Sequence, residues 1–146
     1  MSHPDMDILS KQILTLAPDA ILFADERGIV RFWNLGAERI FGCSAADAIG
    51  QSLDLIIPEK LRKRHWDGYH KTMETGETRY DIDLLAVPAI HQNGTTLSSE
   101  FSIVMLNDDD GKPIGVAAIL RDVTERRQNE KRLLDRIADL ETAHDI

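Results

Sequence analysis

The order of β-rich and helix-rich runs along the chain is the feature that most restricts its fold. Two short β-rich runs flank the turn sequence DERG (residues 25–28), and three longer ones cover about 79–90, 95–106 and 113–121. Between the two groups the sequence carries only helix signals, so strands and helices do not alternate. Parallel strands need a long crossover, usually a helix, whereas strands joined by short turns pair antiparallel. The order therefore predicts an α+β fold, a five-stranded antiparallel sheet with short helices on one face.

Cap residues and breakers place the helices between the two groups of strands. Ser44 is a residue type favoured at helix N-caps, and Asp47 follows three positions later, which predicts a short helix there. A longer helix is predicted over 59–75, because Pro58 is tolerated at a helix start and Gly76 is typical of a helix end.

The two ends of the chain are predicted to be helices outside the sheet. In residues 4–17 the apolar positions form one stripe: Met6, Leu9, Ile13, Leu14 and Leu16. In residues 121–146, mostly strong helix formers, the apolar positions are Leu133, Leu134, Ile137 and Leu140. Their spacing favours a coiled-coil seam of about two turns, and the alternative is a helix that lies back on the sheet. We therefore divide the chain into a helical cap (1–17), a central domain (18–124) and a C-terminal helix (125–146).

Composition and charge exclude several classes of function. The net charge of −8 and the isoelectric point near 5.0 disfavour direct binding of nucleic acid, whose phosphates an acidic domain repels. No run approaches the roughly 18 apolar residues of a membrane span, so we expect no membrane partner. Cys43 is the only cysteine, which rules out an intrachain disulfide and is consistent with the reducing cytoplasm. We also expect no enzymatic activity, because no hydrolase, P-loop or dinucleotide motif is present.

A series of short motifs resembles one family. In chain order the motifs are GIVRFWN, AERIFG, IGQ, IIPE, NGT and RDVTER. Over residues 10–125 their order and spacing resemble those of the PAS domain. The resemblance implies a PAS fold, in which five antiparallel strands and small helices enclose a pocket for a small ligand or cofactor. PAS domains are sensory and dimerisation modules of kinases, cyclases, chemoreceptors and transcription regulators.

The resemblance also implies a function and a set of site residues. We expect a cytoplasmic module of a two-component or transcription-regulatory pathway that forms a homodimer and passes a signal to a protein partner. Asp122 and Thr124 are similar to the D-I-T junction of the family, where the last strand meets the signalling helix. The expected pocket has apolar walls and one polar anchor, His65; the candidates are His65, Leu61, Tyr69, Leu85, Ile103 and Ile119.

His65 leads to an alternative function, a haem-based gas or redox sensor. In the oxygen-sensing PAS kinases one histidine of this helix holds haem b, and ungapped counting from TGE (residues 75–77) puts His65 at that position. The same counting puts Gly68 where those kinases have a tyrosine, and Leu85 at the arginine that reaches bound oxygen. The alternative to haem is a buried histidine bonded to the backbone.

Two further interpretations stay open. Flavin photoreceptors of the family need a reactive cysteine, and SLDLIIPEK (residues 52–60) has none. Non-covalent flavin beside Trp33 and Trp66 is an alternative to simple packing of these side chains. The other interpretation is a protein–protein interaction module with a filled core and no ligand.

Overall fold

The computed structural model describes residues 3–77 and 85–144. In chain order the elements are α1 (Met6–Leu16), β1 (Ala20–Asp25), β2 (Val30–Trp33), α2 (Leu35–Phe41), α3 (Ala45–Ala48), the 3₁₀ turns Leu53–Ile56 and Glu59–Leu61, α4 (Arg62–Thr75), β3 (Leu85–Ile90), β4 (Thr96–Asn107), β5 (Pro113–Asp122) and α5 (Thr124–His144).

A five-stranded antiparallel sheet forms the centre of the fold, which confirms the predicted fold class. The strand order is β2-β1-β5-β4-β3, so the last strand in sequence lies in the middle of the sheet. Leu120 of β5 pairs with Ala20 of β1 on one side and with Phe101 of β4 on the other. The chain therefore leaves the sheet from its central strand.

One face of the sheet carries the hydrophobic core. In β1, Leu22 and Ala24 are 2% and 1% exposed, whereas Phe23 between them points to the other face and is half-buried. Helix α2 covers the core face with Phe41, which is 1% exposed. Burying a side chain of this size contributes about 2–3 kcal/mol.

The opposite face of the sheet is largely uncovered. Val104, Leu106 and Ile119 on this face expose 46%, 37% and 37% of their surface. Helix α1 has no buried residue either, and its apolar stripe is open to solvent. Two apolar surfaces are thus largely uncovered by the described residues.

The turn between β1 and β2 is organised by Asp25. Its Oδ1 accepts hydrogen bonds from the backbone N–H of Arg27 and Ile29 (2.9 and 3.1 Å), and its Oδ2 accepts one from Arg31 Nε (2.9 Å). Burial opposes ionisation of this carboxyl group, but these donors outweigh it and the pKa of Asp25 is lowered. Gly28 closes the turn at φ +78°, a conformation that glycine adopts without steric cost.

The structure changes the start of one predicted helix, and the start of one predicted strand lies outside the described residues. The helix expected over 59–75 begins as the 3₁₀ turn Glu59–Leu61 and becomes α-helical at Arg62, as helix N-termini commonly do. Its end at Gly76, with φ +74°, agrees with the prediction. The strand expected over about 79–90 is seen from Leu85, and residues 79–84 lie outside the described part of the chain.

Candidate functional site

Helix α4 carries an aromatic cluster that consists of His65, Trp66, Tyr69 and His70. Tyr69 is 8% exposed, and its hydroxyl donates to the backbone carbonyls of Asp25 (2.5 Å) and Ala24 (3.3 Å). Burial, followed by the charges of Asp25 and Glu26, raises the pKa of the phenol. Tyr69 therefore acts as a neutral donor that ties α4 to the end of β1.

His65 lies next to Tyr69, as the helical spacing predicted. Its ring centroid is 5.6 Å from that of Tyr69 and 4.7 Å from that of Trp66, which it meets edge-on. Its Nδ1 is buried and has no hydrogen-bond partner within the described residues. Burial lowers the pKa of His65; Asp54 opposes this shift and His70 adds to it. The imidazole is therefore neutral at pH 7, with a buried nitrogen left unpaired.

Both tryptophans have structural contacts of their own. Trp66 Nε1 donates to Asp54 Oδ1 (2.7 Å), and its ring lies so close to Gly28 that a Cβ there would be 2.1 Å from it. Trp33 Nε1 donates to the carbonyl of Cys43 (2.9 Å), and its ring packs on Phe41 at 5.4 Å. These contacts support the packing interpretation of both side chains over a flavin contact.

Of the other predicted pocket residues, Ile103 and Ile119 lie on opposite faces of the sheet. Leu61 is half-buried at the end of the 3₁₀ turn before α4, and Ile103 packs against the core face of the sheet opposite Ala118. Ile119 instead lies on the uncovered face, because alternate residues of a strand point to opposite sides. Leu85 begins β3 opposite Phe101, and its side chain lies outside the described part of the chain.

The junction between β5 and α5 is held by Asp122 and Thr124. Asp122 Oδ1 accepts hydrogen bonds from the N–H (2.9 Å) and the hydroxyl (2.6 Å) of Thr124. Thr124 Oγ1 in turn accepts from Ser98 N on β4 (2.9 Å). Val123 between them is 4% exposed and donates its N–H to Ser98 O (2.9 Å). The N-terminus of α5 is thus hydrogen-bonded to β4 and to the end of β5.

Asn34 is a central residue that the sequence reasoning missed. It is 2% exposed, and its Oδ1 accepts from Ile21 N (2.8 Å) and Ala37 N (2.9 Å). Its Nδ2 contacts three carbonyl oxygens, those of Leu14, Ala17 and Asp19, at 2.9, 3.3 and 3.0 Å. An asparagine directly before a helical run is typical of an N-cap. The hydrogen bonds of its Nδ2 to the end of α1 have no signal in the local sequence.

The described ranges 3–77 and 85–144 support neither a metal site nor a membrane-spanning helix. No group of three or more His, Cys, Asp or Glu residues there could hold a metal ion. Within the same ranges, no helix is both long enough and apolar enough to cross a membrane.

The structure is an α+β domain whose central strand continues into a projecting helix. The family model described as PAS fold matches residues 14–128 of the 146, and the chain belongs to the PAS family. The predicted family and PAS fold are thereby confirmed.

Curated relatives and solved structures agree with this assignment. The chain is 34% identical over 124 residues to the Sensor protein FixL of Bradyrhizobium diazoefficiens, covering 84% of the chain and 24% of that protein. It is 26% identical over 108 residues to the Oxygen sensor protein DosP of Escherichia coli, covering 73% of the chain and 13% of that protein. The chain therefore spans less than a quarter of either relative. A PAS domain from Colwellia psychrerythraea superposes with a TM-score of 0.72 at 21% identity, covering 83% of this chain and 99% of that one.

Proposed function

We propose that this chain is a cytoplasmic PAS module that binds a small ligand and relays the change to a protein partner through α5. The observation that carries the proposal is the junction at Asp122 and Thr124. Because β5 is the central strand and Thr124 is hydrogen-bonded to β4, a shift of the sheet moves the N-terminus of α5. Shifts of helices at subunit interfaces are an established type of switching motion, and a ligand that favours one arrangement shifts the equilibrium toward it.

The output surface in this proposal is the apolar stripe of α5. Leu133, Leu134, Ile137 and Leu140 expose 63%, 66%, 51% and 60% of their surface. A second copy of the chain would cover this stripe in a short coiled coil, and the stripe of α1 would extend the contact. We therefore propose a homodimer in which the angle between the two α5 helices carries the signal.

A truncation tests the dimer. Removal of residues 125–146 should convert dimers into monomers in light scattering, because it removes the α5 stripe. A truncated chain that remains fully dimeric would contradict the role of α5.

A substitution at the junction tests the relay. Thr124→Val removes the acceptor for Ser98 N, so amide exchange in the first turn of α5 should become faster. Thr142→Val is the matched control, since the Thr142 hydroxyl bonds only to Ala138 O within the distal part of α5. Equal exchange in the wild-type protein and in Thr124→Val would refute the proposed connection.

A haem-based gas or redox sensor is the second candidate. The observation that favours it is the buried Nδ1 of His65, which has no hydrogen-bond partner among the described residues. A neutral imidazole is a suitable axial ligand, so His65 would hold the iron. When bound, haem would supply an iron centre that responds to a gas or to redox state. Arg62 donates hydrogen bonds to the carbonyls of Ile57 (3.1 Å) and Asp54 (3.3 Å).

An absorption spectrum separates the two candidates. Protein reconstituted with haem should show a Soret band that is lost in His65→Ala and kept in His70→Ala, because His70 is an exposed residue of the same helix. The absence of any band after reconstitution would refute the haem candidate and leave the relay proposal standing.

A further inference from the structure

A cleft of about 400 Å³ opens between the C-terminal ends of α2 and β3. Its floor is apolar and consists of Phe41, Leu55 and Ile90, of which Phe41 is 1% exposed. Cys43 lies in the wall, and exposed polar residues, Asp47 among them, form the rim. Small-molecule sites typically have volumes of roughly 300–1,000 Å³, and this cleft combines an apolar part with a polar rim.

The walls of this cleft are held in place by the fold. Gln92 N donates to Phe41 O (2.8 Å), which joins the end of β3 to the end of α2. The His91 imidazole lies against Gly42, where a Cβ would be 2.3 Å from Cε1 of the ring. Gly42 also has φ +73°, so no other residue type fits there without strain. A cleft with fixed walls binds without a large ordering cost.

Among the polar groups of the rim, His91 offers a donor and Asp47 a charged acceptor. His91 Nδ1 accepts a hydrogen bond from Asn93 N (3.0 Å), so the neutral ring carries its proton on Nε2 and can donate. The carboxylate of Asp47 makes no ion pair with any described residue.

The charges around the cleft are negative. Burial raises the pKa of the Cys43 thiol, and the negative charges of Asp47 and Glu38 raise it further. Both carboxylates therefore act on Cys43 in the wall of the cleft. No lysine or arginine is among the described residues that line the cleft. A cation is therefore favoured over an anion at this place.

We propose that the cleft binds a small organic cation, an apolar body that carries a protonated amine. The body would pack on Leu55 and Ile90, with the ammonium group at Asp47. The proposal rests on the proposed sensory function, to which it adds the position and the chemical class of a ligand.

A matched pair of probes tests the charge requirement. In an NMR titration of the full chain, phenethylammonium should shift the amides of the cleft residues. It should bind roughly two- to fivefold more tightly than neutral 2-phenylethanol, as an exposed ion pair allows. Asp47→Asn should remove this preference. Asp67→Asn should keep it, because Asp67 is an exposed carboxylate of α4 outside the cleft.

Three results would overturn the proposal: equal affinity for both probes, shifts confined to another part of the chain, and no shift at millimolar probe. Amide exchange at Val123 and Arg127 tests the relay separately. Binding in the cleft without a change in that exchange would contradict the proposed function and leave the binding site established.

Discussion

Asn34→Asp is a nearly isosteric change that separates the two roles of this side chain. The carboxylate keeps an acceptor for Ile21 N and Ala37 N, so the cap of α2 survives. It loses the donors that reach the carbonyls of Leu14 and Ala17 at the end of α1. The substitution therefore attacks the attachment of α1 while it spares the cap.

The expected cost follows from the hydrogen bonds that are lost. The amide loses its two N–H donors, and at about 1 kcal/mol each their hydrogen bonds give about 2 kcal/mol. A carboxylate that faces three carbonyl oxygens at a site that is 2% exposed adds the penalty of an uncompensated buried charge. We expect a total loss of about 3–5 kcal/mol, a large share of the 5–15 kcal/mol typical of a domain.

The penalty should also depend on pH in a defined direction. Burial raises the pKa of the introduced carboxyl in the folded state above its unfolded value near 3.9. The folded state therefore binds a proton more readily, and the deficit should shrink as the pH falls through the raised pKa and grow as the pH rises.

Urea unfolding followed by tryptophan fluorescence measures the loss, and amide exchange of α1 shows where it acts. Asn107→Asp is the control, since Asn107 is exposed at the end of β4. An unchanged unfolding midpoint with unchanged protection of α1 would refute the role assigned to Asn34.

Two other substitutions test single features. Because burial lowers the pKa of His65 below the free value of 6.5, the unfolded chain takes up a proton first as the pH falls below that value. The stability that this group contributes is therefore present above pH 6.5 and lost as the pH falls below it. Urea unfolding midpoints between about pH 5 and 7.5 measure this loss. His65→Phe should abolish the loss, and the control His70→Phe should keep it. Gly42→Ala should destabilise the fold by about 2 kcal/mol or more, from its left-handed backbone and the clash with His91. Gly50→Ala is the control, because Gly50 also has a positive φ (+95°) but no described atom lies within 4 Å of the new Cβ. Its smaller loss of stability in thermal unfolding measures the cost of the backbone conformation alone. Equal losses of stability in the two variants would contradict the clash with His91.

The elements were predictable where local chemistry sets them. Ser44 caps α3 by accepting from Asp47 N (3.2 Å), and Gly76 ends α4, both as expected from residue type. The spacing of His65 and Tyr69 correctly placed their rings side by side on α4. Ile119 was assigned to the pocket, yet the register of β5 against β1 and β4 turns it to the uncovered face.

The sequence by itself determined the antiparallel α+β class, because strand patterns, turn residues and caps act over a few positions. Its motifs also identified the family, and with it the junction at Asp122 and Thr124, by resemblance. Only the tertiary structure decided which residues meet across the chain. Asn34 reaches the end of α1, and Gln92 closes on Phe41 to form the cleft. Contacts between distant positions depend on strand register and helix packing, which local propensity does not specify.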